Sequence, residues 1–166
     1  MADPIGAVEK IVGIGEKAVN IFKSGKGAVA FSGTYPGCVP KGKKPSDTST
    51  WQTYKSDHTI SIENKKGKTV FDCNLEVMFY FDGRFDKDPT QYICNFGARV
   101  KKLRVGFLKA VDISVVQRGS PIRQGSNPPY IVIDLIVQVK AGVAPNQIYQ
   151  TFPLRATGYG NFRGGG

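Results

Sequence analysis

FDCNLEVMFYFD, residues 71–82, alternates with a period of two: Phe71, Cys73, Leu75, Val77, Phe79 and Phe81 against Asp72, Asn74, Glu76, Met78, Tyr80 and Asp82. YIVIDLIVQVK at 130–140 repeats the pattern, with Ile131, Ile133, Leu135, Val137 and Val139 on one parity. Successive side chains of a strand point to opposite faces, so each run predicts a strand with one face on a core. Shorter candidates lie at 28–34, 58–63, 91–96, 98–105, 108–117 and 147–157. Turn residues separate the runs at Tyr35-Pro36-Gly37, Asn64–Lys68, Asp82-Gly83, Ser126–Pro129 and Ala144-Pro145-Asn146. Lys101-Lys102 interrupts the alternation between Val100 and Leu103, which marks a bulge or an edge. The polar stretch 35–56 is the longest irregular connection, the kind of loop that carries binding contacts.

Only the first 27 residues depart from this period. Asp3 suits an N-cap and Pro4 the first helical position, and Val8, Ile11, Val12, Val19 and Phe22 recur on one helical face. Gly13 and Gly15 each cost about 1 kcal/mol of helix propensity, so this helix needs a surface to bury its stripe. The expected fold class is mainly β: a single β-sandwich or jelly-roll-like domain of about eight antiparallel strands, preceded by one N-terminal amphipathic α-helix. The expected organisation is helix and Gly-rich hinge at 1–27, β-sandwich at 28–157 and Gly-rich tail at 158–166. A tail of that composition is disordered unless something holds it, which in an assembly is a neighbouring subunit.

The 166 residues suffice for one domain with a sizeable core, and the 22% charged content fits a globular chain. No apolar run approaches the roughly 18 residues of a membrane-spanning helix. Glu9, Lys10 and Glu16 break the apolar opening, and no basic n-region precedes it, so no secretion signal is expected. Cytoplasmic synthesis follows from that reading, with the final location open, an extracellular particle or filament included. The net charge of +10 is uneven. Residues 69–90 set Asp72, Glu76, Asp82, Asp86 and Asp88 against Arg84 and Lys87, whereas 91–166 hold only Asp112 and Asp134 among many lysines and arginines. Such an excess concerns partners: nucleic acid, an anionic surface or an acidic protein face. Cys38, Cys73 and Cys94 have no metal-ligand spacing and are expected to be reduced.

No catalytic or cofactor signature emerges. His58 is the sole histidine and lies beside Asp57 at a strand start, where a surface or capping role is expected. Asp82, Asp86 and Asp88 share one turn, but their spacing is not that of a calcium loop. Gly13-Ile14-Gly15 has no strand before it, and Ser24-Gly25-Lys26-Gly27 lacks the upstream glycine of a phosphate loop. Basic clusters remain. Lys65, Lys66, Lys68, Lys101, Lys102 and Arg104 are the candidate anion or nucleic-acid contacts, with Arg118, Arg123, Arg155 and Arg163 spread later. Lysines on an edge strand also serve simply to block edge-to-edge association.

These features predict a non-enzymatic structural protein: a self-assembling, homo-oligomeric subunit of a coat, tube or filament with a basic face. The acidic turn against a basic remainder suits head-to-tail contacts, and Met78, Tyr80, Val132 and Ile136 are expected to add outward apolar surface. Val8, Ile11, Val12, Val19 and Phe22 are the candidate assembly or membrane face. Sequence-neutral nucleic acid or an anionic surface is the expected further partner, and membrane contact would run through residues 4–23. An amphipathic helix ahead of a basic β-sandwich resembles the layout of the actinoporin cytolysins, which implies membrane binding or pore formation as the alternative. The resemblance is one of length and order alone. Trp51 is the only tryptophan, so that family's aromatic headgroup cluster has no counterpart and no residue role is carried over.

Overall fold

The computed structural model describes residues 28–33, 35–105, 110–142 and 147–164. They form β1 (Ala28–Gly33), β2 (Gln52–Glu63), β3 (Thr69–Phe85), β4 (Asp88–Val105), β5 (Ala110–Gln117), β6 (Ile122–Gln124), β7 (Tyr130–Ala141), β8 (Ile148–Thr157) and β9 (Phe162–Gly164). The helix expected at the N-terminus, with Val8, Ile11, Val12, Val19 and Phe22, lies outside the described residues.

The chain is mainly β, and its strands curl into one nearly closed, barrel-like sheet along the path β1-β5-β7-β4-β3-β2. β7 is the hub. β5 and β6 pair antiparallel with one of its edges and β8 with the other, and β4 joins beyond the end of β8 through the parallel pair Gln91–Tyr130. The period-two residues build the core as expected: Phe71, Cys73, Leu75, Val77 and Phe79 of β3 and Ile133, Leu135, Val137 and Val139 of β7 are all fully buried in one cluster. Each large apolar side chain buried this way contributes about 1.5–3 kcal/mol.

Bulges curl the sheet. β3 and β4 shift register between Asn74 and Leu75, between Met78 and Tyr80, and between Tyr80 and Gly83. At the first, Lys101 is the extra residue between Val100 and Lys102, so the broken alternation at Lys101-Lys102 is a bulge. At the others, Asn95 and Asp82 take left-handed backbone angles, φ 53° and 57°. Asn and Asp tolerate that region better than other residues with a Cβ, and each bulge bends and twists its strand. The bulge at Asn95 also explains why 91–96 and 98–105 read as two strands when β4 runs unbroken through both.

The stretch 35–50 is fastened along β4. The Cys38 amide donates to the Ile93 carbonyl (2.7 Å), the Phe96 amide to the Pro36 carbonyl (3.0 Å), and a Cβ on Gly97 would stand 2.1 Å from the Tyr35 ring. Trp51 donates through Nε1 to the Pro45 carbonyl (2.8 Å), and its ring packs against Gly83. Residues 52–56 belong to β2, not to the loop; Gln52 is exposed and the half-buried Tyr54 and Ser56 carry polar groups, which hid the strand period.

Two expectations about surfaces need correction. Tyr80 and Val132 are not outward apolar surface: they are 6% and 2% exposed, and Met78 and Ile136 are half-buried. The tail, through Gly164, is held by its own chain. β9 pairs with β8, and the Phe162 ring lies 5.5 Å from Tyr54, 6.0 Å from His58 and 6.4 Å from Phe96. Gly158 makes this path feasible. Its amide donates to the Ile131 carbonyl, its carbonyl accepts from the Asp82 amide, and a Cβ there would stand 2.0 Å from the Gln91 carbonyl oxygen. Backbone cannot yield as a flexible side chain does, so Gly158→Ala is expected to lower unfolding free energy by about 2–3 kcal/mol in a urea titration.

Candidate functional site

The predicted cations divide. Lys65, Lys66 and Lys68 stand exposed on the β2–β3 hairpin tip, whose turn is held by Asn64 Oδ1 accepting from the Lys66 (2.9 Å) and Lys68 (3.0 Å) amides. Lys102 is exposed opposite Asn74, and Arg104 pairs in backbone register with Asp72, towards the same end of the sheet. Lys101 is engaged elsewhere. Its ammonium lies 2.9 Å from Asp57 and 3.9 Å from Glu76, a carboxylate only 5% exposed that also meets Arg99 at 2.6 Å and Lys55 at 3.6 Å. Lys101 therefore neutralises the outer face of β3, where an unpaired buried carboxylate would be costly.

The other candidates have structural partners. His58 is half-buried on the inward side of β2, edge-on to Phe162 and against Gly164, so it packs at the barrel closure instead of on an open surface. The three acids of 82–88 point to separate partners. Asp82 accepts from Gln52 (3.1 Å) and Gln91 (3.0 Å), Asp86 pairs with Lys43 (3.0 Å), and Asp88 accepts from the Tyr92 hydroxyl (2.5 Å) and the Thr90 amide (3.0 Å). Burial opposes ionisation of Asp88, but the Tyr92 and Thr90 bonds outweigh it and hold its carboxyl below the usual range. Among the described residues no three metal-ligating side chains gather at one point. Cys38, Cys73 and Cys94 are free thiols, the last two buried.

A second basic group assembles on the outer face of β7, β8 and β9. Asp134 opposes Arg155, Arg155 opposes Arg163, and the Arg118 amide donates to the Asp134 carbonyl at 2.9 Å. These pairings set three arginines and one aspartate in a row across four neighbouring segments. Arg155 grips Asp134 with two bonds, Nε to Oδ1 at 2.7 Å and Nη2 to Oδ2 at 2.9 Å, which raises the pKa of its guanidinium. Arg118 and Arg163 have no carboxylate partner among the described residues. All three arginines line a cavity of about 400 Å³. A second space of about 140 Å³ shares Arg155 and Arg163 and adds Gln124, Tyr130, Tyr159 and Asn161. Tyr130 and Tyr159 meet edge-to-face at 4.7 Å, and Tyr159 is 46% exposed. Arg123 opposes Ile131 on the other parity and so stays out of the row.

Sequence parity puts Asp134 and Arg155 on outward positions, but only the pairing of β7, β8 and β9 makes them neighbours of Arg163 and Arg118. No protein-family model matches the chain, and neither a curated protein nor a solved structure does.

Proposed function

We propose that the chain is a non-enzymatic structural protein, a self-assembling subunit of a coat, tube or filament with a basic face. The observation that supports this reading is the edge of β2, which has no ladder partner among the described residues. That strand runs twelve residues, Gln52–Glu63, and among the described residues pairs with β3 alone. It holds no proline, and its only register irregularity is at Ile62/Glu63. A long edge with no ladder partner among the described residues offers a row of backbone donors and acceptors to another chain. The sheet path ends on β2 at one side and β1 at the other, and two unlike ends favour head-to-tail extension. In this reading the β2–β3–β4 wall and the β5–β7–β8 wall act as the two sides of a jelly-roll-like sandwich, an architecture that serves coat proteins among others.

The test is a blocked edge. Thr59 and Ser61 are exposed on the outward parity of β2. Thr59→Lys with Ser61→Lys is expected to change stability by less than about 0.5 kcal/mol per site and to collapse wild-type assemblies towards monomer in sedimentation velocity. Assembly undiminished in the double variant would remove β2 from the contact.

A further inference from the structure

We propose that the arginine row on the outer face of β7, β8 and β9 binds a single strand of nucleic acid, with phosphates at Arg118 and Arg163 and a base against Tyr159. The proposal is independent of self-assembly, since the row lies on a sheet face and not on the β2 edge.

Charge is the first argument. Arg155 and Arg163 stand directly opposite each other on neighbouring strands, an arrangement that is destabilising for like charges. The single carboxylate in the row is spent on Arg155, so Arg118 and Arg163 flank that pair with their charge uncompensated on the wall of one cavity. An anion there would lie between two cations whose backbone positions are set by strands. Arg155, already fixed by its two bonds to Asp134, keeps further N–H groups for the same anion.

The second argument is what adjoins the cations. An acidic peptide or a free phosphate needs only the charge. The smaller space, on the scale of one base, carries the half-exposed Tyr159 ring with the side-chain amides of Gln124 and Asn161 and shares Arg155 and Arg163 with the larger one. Aromatic rings and amides beside arginines match unstacked bases on a charged backbone, and stacking tolerates any sequence. A duplex keeps its bases stacked inside and leaves Tyr159 without a partner.

The test uses the full chain and a fluorescein-labelled oligo(dT) of about 12 nucleotides, a length within the usual site sizes, read by fluorescence anisotropy over a salt series. Wild-type affinity is expected to fall as salt rises. Arg163→Glu and Arg118→Glu should each weaken binding at least about tenfold, and Arg163→Ala should flatten the log–log salt slope by about 0.7. Tyr159→Ala should weaken binding about fivefold or more with the slope unchanged. Arg118 and Arg163 have no described ion-pair partner to lose and Arg163 faces Arg155, so thermal melts should not fall below the wild type, and Arg163→Lys should restore part of the affinity. Lys65→Ala with Lys66→Ala, on the distant hairpin, should change little. No binding of the oligomer, or equal binding by wild type and both charge reversals, would overturn the proposal. So would stronger binding to phosphatidylserine vesicles that the same reversals abolish, which would assign the row to a membrane surface.

Discussion

Above pH 9 the protein is expected to lose stability steeply. Cys73 and Cys94 are 0% and 2% exposed, and burial pushes both thiols from an ordinary 9.0 up to about 12, with Asp72 adding to the effect at Cys73. Tyr92 moves from 10.0 to about 12, first through burial and then through its bond to Asp88. The folded chain keeps these protons where the unfolded chain releases them. Their contribution is therefore complete below about pH 9 and disappears as pH rises through about 12. At pH 11 the two thiols together would cost about 5 kcal/mol, comparable with the whole stability of a small domain. Urea midpoints in reducing buffer between pH 7 and 11 check this. A midpoint unchanged to pH 11 would mean that the thiols reach solvent in the folded state, and Cys73→Ala should remove about two fifths of the slope, Cys94 and Tyr92 supplying the rest.

Phe79→Ala is expected to lower unfolding free energy by about 3–5 kcal/mol. Phe79 is fully buried, stacks on Tyr54 at 4.7 Å and meets Phe96 edge-on at 5.5 Å. Tyr54 and Phe96 are in turn the rings against Phe162, so one side chain links β2, β3 and β4 to the strand that closes the barrel. The cavity left by its loss would loosen that closure as well as the core. Denaturant unfolding gives the energy, and faster amide exchange along Phe162–Gly164 would show the loosened strand. A loss below about 1 kcal/mol would mean that the surrounding rings collapse into the space.

The period-two runs of β3 and β7 were legible because each buries one parity completely over many residues. Other elements left no such trace. β6 and β9 are three residues each, too short for a period, and Phe162 has a burial partner only once the tail crosses β2. Asp82 reads as a turn residue beside Gly83, yet in the fold it is a left-handed bulge inside a continuous seventeen-residue strand, its carboxylate bridging Gln52 and Gln91. Lys101 reads as a free cation until the bulge brings it to Asp57 and Glu76. The arginine row depends on the register of β7 against β8, which sets Asp134 beside Arg155 twenty-one residues away, and on the pairing of β8 with β9; local patterning carries neither.

Self-association of the purified full chain tests the central claim most directly. Sedimentation velocity over a range of protein and salt concentrations, with negative-stain microscopy of the same samples, is expected to show concentration-dependent species larger than a monomer and a regular particle, tube or filament. A monomer at every concentration and ionic strength would contradict it.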